Sequence, residues 1–502
     1  MEKFVNRDEE LLLIDDAVDT LLDRKRLLRT PIIEFYGVEG IGKTTLLRKV
    51  EERCNHKKLT SIWIDGGEST SYHFLRSTKE RLEEKRPVVI ILDSLDEASE
   101  KQLQEIEAGF RDLIENSNLF VVLASRRMLR FDNTRSIARK LTVLPLKPLD
   151  RESCNTYLDS IGRDITPEIR DAIFKWTHGY PLAMDTMVEA ILNRGLDPLK
   201  GQDQKLILSI ITEKVIDEGL LLKVTLSERH RYKTLLSLLS VPRRFNLVIM
   251  QDIIEKFAPK YKLDSSLSYI TFPNTINQVA NVLSWNMFWA GYCIDAPVRN
   301  IFLLKLKIEE TQMYYDINGF LAQINKRFAQ EVTGSDRVRY LREFFYHLVN
   351  SGDITDFPSV LKEYLEPLTQ EKSLDSFLQF YEEFSQDEEL KETLGEHNSN
   401  LVISFIRRKF VEKYIRDTEI PMSERVHYLR EFFLHTAHDP KVDDFPSIFE
   451  EGMHQIIQEE FPEVSIKLYY EELLQDEGLK ELLGKDLDRI ASLIYQSLSK
   501  EG

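Results

Sequence analysis

The segment "GVEGIGKT" combines residue types and a spacing that bind phosphate. The pattern G-x-x-x-x-G-K-[ST] is satisfied by Gly37, Gly42, Lys43 and Thr44, and Gly40 adds flexibility. Glycines let successive backbone N–H groups turn inward on an anion at a helix N-terminus. In such a loop the lysine reaches the β- and γ-phosphates of a nucleotide, and the threonine hydroxyl binds Mg²⁺. An ordinary glycine-containing turn is the competing interpretation, and the complete motif between a strand and a helix disfavours it.

An acidic group follows the apolar run "VVIIL" about fifty residues later. Asp93 ends that run, and Asp96 and Glu97 lie just beyond it. A carboxylate at this strand end can hold the water shell of Mg²⁺, while a second one can orient a water molecule for attack on the γ-phosphate. We therefore predict that Thr44 and Asp93 form a Mg²⁺ site, and that Asp96 or Glu97 has the catalytic, water-orienting role.

An arginine follows the next apolar run, in "VVLASRR". Arg126 would lie near a γ-phosphate, and its planar guanidinium suits phosphate oxygens. Taken alone, a surface arginine after a strand is more often a solvated charge. Together with the loop and the acidic group, it is a candidate sensor of the γ-phosphate.

The first 150 residues alternate strand-like and helix-like segments. Between the strands, Leu46, Leu47, Val50 and Cys54 share one helical face. The strand-like runs are "PIIEFYG" at 31–37, "LTSIWID" at 59–65, "VVIIL" at 88–92, "LFVVLA" at 119–124 and "LTVLPL" at 141–146. This alternation predicts an α/β P-loop domain with a mainly parallel sheet over residues 1–150.

Strand signals nearly vanish after residue 150. Residues 151–225 predict an all-α helical domain whose helices are interrupted at "GYPLA" and "NRGLDP". Residues 226–307 hold short helices followed by the aromatic segment "WNMFWAGYCID", a pattern that predicts a winged-helix domain.

The C-terminal part of the chain repeats itself. "SDRVRYLREFF" at 335–345 returns as "SERVHYLREFF" at 423–433, which is an offset of about 88 residues. Val338, Leu341 and Phe344 have helical spacing, so each copy must stack on its neighbours to bury its apolar face. Residues 308–502 are therefore predicted to be α-helical repeats in two copies, an architecture that usually offers an extended surface to a partner protein.

Composition narrows the classes of function. In 502 residues, 84 acidic against 67 basic side chains give a net charge of -17, which disfavours binding to nucleic acid or an anionic membrane. The N-terminus has no secretory signal pattern, and no apolar run reaches the ~18 to 20 residues that cross a bilayer. Three scattered cysteines suggest neither disulfides nor a zinc site. A cytoplasmic location is expected.

Six segments taken in order resemble the STAND class of signal-transducing P-loop NTPases, which includes the NACHT and NB-ARC switches. They are "FVNRDEE" at 4–10, "GVEGIGKTTL" at 37–46, "IILDSLDEA" at 90–98, "LASRR" at 123–127, "LPLKPLD" at 144–150 and "GYPLA" at 179–183. The resemblance covers about residues 1–307. The second acidic pair in "LDSLDE" is more similar to NACHT than to NB-ARC.

The resemblance implies a nucleotide-binding domain, a helical domain and a winged-helix domain that close around ADP and reopen on exchange for ATP. It implies that Val5 and Arg7 border the nucleotide and that Pro181 packs near the adenine. Arg126 would be the sensor, and Thr45 joins Thr44 in the nucleotide-binding set.

One segment departs from the family pattern. The family carries a histidine that touches the ADP β-phosphate, and the matching stretch here, "GYCIDAPVR", places Asp295 at that position. An aspartate beside a phosphate repels it unless Mg²⁺ or a lysine intervenes. No ADP-contacting residue is assigned from this segment.

The sequence thus leads us to expect a switch driven by ATP and ADP with Mg²⁺. The repeats would sense a protein partner, slow ATP hydrolysis would reset the switch, and the open form would assemble as a homo-oligomer. The family usually fuses an effector domain to the switch, and no such segment is recognisable here, so we expect the effector to be a separate protein.

Two alternatives remain open. The first is a remodelling or DNA-loading ATPase similar to AAA+ proteins, with a DNA-binding winged helix in which Arg243 and Arg244 could touch phosphates. The second is a small-molecule kinase with the repeats as scaffold, although nothing outside the loop suggests an acceptor site.

Overall fold

A computed structural model describes most of the first 416 residues. The described residues are 5, 7–23, 28–66, 78–79, 82, 86–95, 100–113, 118–129, 135–162, 165–286, 291–352, 357–369 and 375–416. The chain divides into two compact units, Met1–Tyr314 and Tyr315–Gly502.

The first unit contains a five-stranded sheet in which every neighbouring pair is parallel. Its strands are β1 (Ile32–Tyr36), β2 (Thr60–Asp65), β3 (Val88–Asp93), β4 (Leu119–Ser125) and β5 (Leu141–Pro145). Their order across the sheet is β2, β3, β4, β1, β5. The parallel sheet and the five strand positions confirm the prediction. The strand order also shows that β4 lies between β1, which leads into the phosphate loop, and β3, which ends in Asp93.

Strands β3 and β4 are apolar up to their last residue because helices cover both faces of the sheet. All residues of β3 and β4 are buried. On one face, side chains from alternate strand positions such as Ile90 and Val121 pack with Ile106 and Phe110 of a neighbouring helix. This buried core fixes the strand ends, and therefore the loops that follow them.

Helices alternate with these strands and then replace them. The helices within and around the sheet region are α1 (Asp8–Leu22), α2 (Lys43–His56), α3 (Glu100–Leu113) and α4 (Arg135–Ala138). They are followed by α5 (Arg151–Ser160), α6 (Pro167–Thr177), α7 (Pro181–Arg194) and α8 (Gly201–Thr212), which runs into a π-helical turn at Glu213–Leu220. As the spacing predicts, Leu46, Leu47, Val50 and Cys54 are the buried residues of α2.

Local sequence signals set the ends of these helices. Thr166 caps α6 by accepting a hydrogen bond from the Ile169 N–H, and a proline at the first helical position begins both α6 and α7. Gly195 ends α7 in the left-handed conformation. The interruptions at "GYPLA" and "NRGLDP" are therefore real helix boundaries.

The rest of the first unit is helical apart from one hairpin. Its elements are α9 (Leu226–Ser240), α10 (Leu247–Phe257), a 3-10 turn (Pro259–Tyr261), α11 (Ser266–Val279), the antiparallel strands β6 (Leu283–Asn286) and β7 (Gly291–Ile294), and α12 (Ala296–Glu309). The Arg299 guanidinium donates to the Ser240 carbonyl (2.9 Å) and so ties α12 to the end of α9. Helices followed by a hairpin are present, and their identity as a winged-helix domain stays a prediction.

The described part of the second unit is helical. Its helices are α13 (Thr311–Glu331), which spans the division between the units, α14 (Gly334–Asn350), α15 (Phe357–Thr369), α16 (Asp375–Gln386) and α17 (Glu388–Arg416). Helix α17 is kinked at Gly395, whose φ is 73°. Helix α14 packs on α16 and α17.

Helix α14 differs from a simple amphipathic helix. Val338, Leu341 and Phe344 are buried as predicted, but Arg342 and His347 are buried too. These polar side chains tolerate burial because other helices supply partners, such as Asn318 Oδ1 at 2.8 Å from His347 Nδ1. The second copy of the repeat, including Leu429 and Phe432, lies outside the described residues. Among the residues the structure describes, no helix combines the length and apolarity needed to cross a bilayer.

Candidate functional site

The loop between β1 and α2 has the backbone conformation that a phosphate loop requires. Gly40 (φ 76°) and Gly42 (φ 99°) adopt left-handed conformations, and Gly42 immediately precedes the first residue of α2. The Lys43 ammonium folds back over this loop and donates to the carbonyls of Gly37 (2.7 Å) and Val38 (2.9 Å). The loop therefore presents backbone N–H groups and one ammonium at the N-terminus of a helix, where an anion is favoured.

Thr44 and Asp93 are in contact although 49 residues separate them. The Thr44 hydroxyl donates to Asp93 Oδ2 (2.7 Å), and the Ser94 N–H donates to Asp93 Oδ1 (2.9 Å). Ser94 has a φ of 53°, so the chain turns sharply at the end of β3 and leaves the Asp93 carboxylate facing α2. The structure therefore brings together the two residues predicted to form the metal site.

This pair suits Mg²⁺ by the chemistry of its donors. A hydroxyl and a carboxylate are hard oxygen ligands, and Mg²⁺ is usually bound by one or two such groups while phosphates and water complete its shell. With its backbone N–H groups, Lys43 and the Thr44–Asp93 pair, the loop fits a magnesium nucleotide.

Arg126 lies beside the phosphate loop. It directly follows β4, and the Gly37 N–H donates to the Ser125 carbonyl (3.2 Å), so the ends of β1 and β4 are level. Arg126 Nη2 lies 2.8 Å from Glu39 Oε2 inside the loop. The Glu39 oxygen is buried and makes no well-aligned hydrogen bond, so this contact is an electrostatic pair rather than a directed hydrogen bond. The predicted sensor is thus held by a carboxylate of the loop itself.

A buried glutamate lies under the turn that carries Arg126. Glu34 is in the middle of β1 and is fully buried. Its Oε1 accepts hydrogen bonds from the Ser125 hydroxyl and the Leu129 N–H, both at 2.8 Å. Its Oε2 has no hydrogen-bond partner. Burial raises the pKa of Glu34 to about 7, with the two hydrogen bonds opposing that rise. Glu34 therefore fastens both ends of the 125–129 turn to the strand that leads into the phosphate loop.

The start of α7 docks onto the phosphate loop. The Tyr180 hydroxyl donates to the Glu39 carbonyl, and the Leu182 N–H donates to the Gly40 carbonyl (3.3 Å). A side chain at position 40 would place its Cβ 2.6 Å from Leu182 Cβ, so glycine is required there by contact as well as by φ. Burial raises the pKa of Tyr180 above its ordinary value, which keeps the hydroxyl a donor. The "GYPLA" segment and the loop are thus one packed unit.

Arg7 braces the loop from the other side. Its Nη2 donates to the carbonyls of Ile41 (3.2 Å) and Lys147 (2.8 Å), and its Nη1 lies 3.5 Å from Glu10 Oε1. Burial lowers the pKa of Arg7, while Glu10 opposes that shift. These contacts join the start of α1, the phosphate loop and the segment after β5. Val5 lies two residues earlier and is half-buried.

A cleft of about 1010 Å³ opens beside the loop within the first unit. Gly37, Val38 and Ile41 line it from the loop side, and the 126–129 turn lines a second side. The third side consists of Asn274 and Asn281 near the end of α11, residues 283–285 of the hairpin, and residues 295–297 at the start of α12. The helices and hairpin after residue 226 therefore face the nucleotide-binding region.

Asp295 is the acidic residue of this cleft. It immediately precedes α12, and its N–H donates to the Val282 carbonyl (2.9 Å). Burial raises the pKa of Asp295 to about 7. A carboxyl group with that pKa is largely protonated at mildly acidic pH, where it repels a phosphate less than an ionised aspartate does. Asp295, at the position where the STAND resemblance would place a histidine, therefore lines the cleft.

The predicted site residues fall into two groups. Thr44 and Asp93 form the metal-side pair, next to Lys43, and Thr45 follows in the first turn of α2. Gly37 and Arg126 line the cleft. Pro181 is the first residue of α7, next to the Tyr180 contact. Asp96 and Glu97 lie outside the described residues. The roles of all these residues stay predictions.

Sequence reasoning missed three side chains that complete the site. Glu34 looked like one polar residue in a strand, and only its full burial in a central strand marks it as unusual. Glu39 occupies a position that the loop motif leaves free. In the "GYPLA" segment the resemblance points to Pro181, whereas the contact with the loop is made by its neighbour Tyr180. Because the contacts of these three residues cross between elements, no local pattern could have shown them.

Comparison with known proteins identifies the domain type. Residues 33–142 match the family described as "ATPase family associated with various cellular activities (AAA)". This segment runs from β1 to the start of β5 and contains the loop, Asp93 and Arg126. It is therefore a P-loop ATPase domain of AAA type, which confirms the expected ATPase, and the match reaches no further along the chain. None of the curated proteins compared matches this sequence.

Solved structures give only distant similarity. The Cdc6p protein of Pyrobaculum aerophilum is 13% identical with a TM-score of 0.34, covering 62% of this chain and 96% of that one. A STAND protein with a tetratricopeptide repeat sensor from Pyrococcus horikoshii is 15% identical with a TM-score of 0.30, covering 100% and 80%. AMPPCP-bound DnaA from Aquifex aeolicus is 16% identical with a TM-score of 0.32, covering 55% and 90%. Similarity this low does not distinguish a signalling switch from a DNA-related ATPase.

Proposed function

We propose that this protein is a nucleotide-dependent molecular switch that binds ADP and ATP with Mg²⁺, hydrolyses ATP slowly and passes its nucleotide state to the helical parts of the chain. The finer assignment to the STAND class, and its NACHT branch, is part of this proposal. The ATPase domain by itself would equally serve an enzyme that turns over continuously, so the proposal depends on how the loop is connected to its surroundings.

The observation that carries the proposal is the docking of α7 onto the phosphate loop. Tyr180 and Leu182 bond to the carbonyls of two successive loop residues, Glu39 and Gly40. A phosphate that binds to the N–H groups of this loop changes the position and polarisation of the same peptide units. Because helix α7 is hydrogen-bonded to these peptide units, phosphate binding would alter its contacts with the loop. A switch requires such a connection between its nucleotide site and the rest of the chain.

The chain's own residues supply the binding and the charge. The loop N–H groups bind phosphate oxygens, and Lys43 exchanges its two carbonyl acceptors for a charged one. Thr44 and Asp93 would hold Mg²⁺, which neutralises charge on the β- and γ-phosphates when bound. Arg126 senses the γ-phosphate. Asp96 or Glu97 orients the attacking water, and Pro181 packs near the adenine.

The signalling part of the proposal rests on the C-terminal repeats. A duplicated helical array suits the recognition of a protein partner, and the open form would then assemble into a homo-oligomer that acts on a separate effector protein. The winged-helix domain at 226–307 would act as an internal clamp. In support, the cleft brings residues of α11, of the hairpin and of the start of α12 next to the loop.

The alternative is a remodelling or DNA-loading ATPase, and the AAA family match favours it as a class. A DNA-binding version needs basic residues on the helix that enters a DNA groove. In a winged-helix arrangement that helix would be α11, which directly precedes the hairpin. Helix α11 contains no Lys or Arg, and Arg243 and Arg244 are both half-buried. Together with the net charge of -17, these features favour the switch over DNA binding.

The first experiment asks whether the protein holds and keeps a nucleotide. Purified full-length chain should retain ADP when it is denatured and its nucleotide content is analysed, and ATP turnover should be on the order of 10⁻³ s⁻¹, as in switch NTPases without an activator. Lys43→Ala should abolish retention, whereas Lys49→Ala, which removes a half-buried lysine that pairs with exposed Glu52 on the same helix, should not. If wild type and Lys43→Ala bind nucleotide equally, the switch proposal is wrong.

The second experiment separates the two functions. ATP turnover is measured with and without double-stranded DNA over a range of salt concentrations. The switch predicts no change with DNA. Strong stimulation that falls steeply as salt rises would favour the DNA-loading ATPase.

A further inference from the structure

Glu39 places a negative charge inside a loop built to bind anions. Its carboxylate oxygen Oε2 lies 2.8 Å from Arg126 Nη2, and both side chains are only partly exposed, at 34% and 20%. The same oxygen is buried and makes no well-aligned hydrogen bond. A partly exposed ion pair contributes little stability, so Arg126 can exchange Glu39 for a more highly charged acceptor such as a phosphate.

The position of Lys43 locates Glu39 relative to a nucleotide. The Lys43 ammonium bonds to the carbonyls of Gly37 and Val38, the two residues directly before Glu39. In a loop of this type the lysine reaches the β- and γ-phosphates. The Glu39 carboxylate therefore lies close to the place where the γ-phosphate charge arrives, and so does Arg126.

We propose that Glu39 determines nucleotide preference at this site by holding Arg126 and opposing the γ-phosphate, so that the resting protein favours ADP over ATP. ADP leaves the Glu39–Arg126 pair in place because it has no γ-phosphate. ATP must draw Arg126 away from Glu39 and must also overcome the repulsion between the carboxylate and its terminal phosphate. This inference rests on the proposed nucleotide switch and adds to it the residue that sets the resting state.

The same residue connects the choice of nucleotide to helix α7. The Glu39 carbonyl accepts the Tyr180 hydroxyl while the Glu39 side chain pairs with Arg126. Release of Arg126 frees the Glu39 side chain, while the Glu39 backbone carbonyl stays bonded to Tyr180. Glu39 thus links the arginine that the γ-phosphate would draw away to helix α7.

The test compares the affinities of the full-length chain for ADP and for AMPPCP, a non-hydrolysable ATP analogue, by titration calorimetry with Mg²⁺. Wild type should bind ADP more tightly. In Glu39→Gln, which keeps the size of the side chain and the backbone carbonyl, the ratio Kd(AMPPCP)/Kd(ADP) should fall about five-fold, the upper range for an exposed ion pair. The matched control Glu52→Gln, whose exposed carboxylate pairs with Lys49 on α2, should leave the ratio unchanged.

A double-mutant comparison tests whether Arg126 carries the effect. Arg126→Ala should weaken AMPPCP binding, and Glu39→Gln should change the ratio less in the Arg126→Ala background than in wild type. The inference is overturned if ADP binds normally but Glu39→Gln keeps the wild-type ratio within two-fold, or if its effect is the same with and without Arg126. If wild type binds neither nucleotide, the proposed switch fails and this inference fails with it.

Discussion

Buried charged side chains have different partners in the phosphate-loop region and in the helical unit after residue 315. In the helical unit, the Arg342 guanidinium contacts Glu383 through one nitrogen and Asp387 through another, and all three side chains are at most 12% exposed. Beside the loop, buried Glu34 keeps one oxygen without a hydrogen bond, and Glu39 meets Arg126 without aligned geometry. In the helical unit one guanidinium meets two buried carboxylates, although its Nε also lacks a hydrogen bond, whereas the carboxylate that meets Arg126 beside the loop is 34% exposed.

The difference indicates where a ligand can act. A buried arginine between two carboxylates has little to gain from a new partner, so that cluster fixes the packing of α14 against α16. Beside the loop, Glu34 has a pKa of about 7 and can take up a proton near neutral pH, and the partly exposed Glu39–Arg126 pair can be separated by a phosphate. The first region should therefore respond to mutation through stability, and the second through nucleotide binding and pH.

The largest effect is expected in the helical cluster. Arg342→Met leaves the Glu383 and Asp387 carboxylates buried without their cation, which should cost about 3–5 kcal/mol of unfolding free energy. Chemical denaturation of the full chain measures this, with ADP affinity as the control that should not change. Loss of ADP affinity with normal stability would reverse the assignment of the two regions.

Glu34 should give the loop region a characteristic pH dependence. Its pKa rises from 4.5 to about 7 on folding, so the folded protein keeps a proton that the unfolded chain has released. Stability from this group is complete below pH 4.5 and is lost as pH rises to 7, by about 3 kcal/mol. Glu34→Gln cannot release the proton, so its stability relative to wild type should rise by that amount between pH 4.5 and 8.

Denaturation curves at several pH values test this expectation. Glu52→Gln, at an exposed position, supplies the control and should show no such relative rise. A constant difference between Glu34→Gln and wild type over the whole pH range would show that folding does not raise the pKa of Glu34.

Asp93 should affect only the metal-dependent part of nucleotide binding. Asp93→Asn keeps the shape and an acceptor for the Thr44 hydroxyl but removes the charge that Mg²⁺ prefers. ADP affinity with Mg²⁺ should fall by about ten-fold, the effect of one charge-assisted contact, and affinity in EDTA should stay the same. Asp65 pairs in register with Asp93 at the end of the neighbouring strand, so Asp65→Asn is the matched control. Equal losses with and without Mg²⁺ would remove Asp93 from the metal site.

The smallest effect is expected at the contact between the loop and α7. Tyr180→Phe removes the hydroxyl that donates to the Glu39 carbonyl and should lower stability by about 1 kcal/mol, the net value of one hydrogen bond. It should also reduce the difference in amide hydrogen exchange of α7 between the ADP and AMPPCP complexes. A nucleotide response of full size in Tyr180→Phe would move the coupling to another contact.

The sequence predicted the parts of the fold that repeat a local pattern. The sequence indicates the five strands because each is a short apolar run, and it indicates the metal-side pair because Thr44 belongs to the loop motif after β1 and Asp93 ends an apolar run. Parallel strands place such residues on one edge of a sheet, so no tertiary information was needed.

The contacts of Glu34, Glu39 and Tyr180 could not be predicted in the same way. They depend on β4 lying next to β1 and on α7 returning to the loop, and one sequence does not give the strand order or the docking of a helix. The buried charge on α14 was missed for a related reason. An amphipathic pattern shows which residues are apolar, but not that Arg342 meets one carboxylate on α16 and a second one directly after it.

The most direct test of the switch is amide hydrogen exchange of residues 178–184 in the full chain, saturated with either ADP or AMPPCP. The Leu182 amide donates to the Gly40 carbonyl, so its exchange reports whether α7 remains docked on the loop. The proposed switch predicts slower exchange of this segment with ADP than with AMPPCP. Identical exchange in the two complexes, with both nucleotides bound, would contradict it.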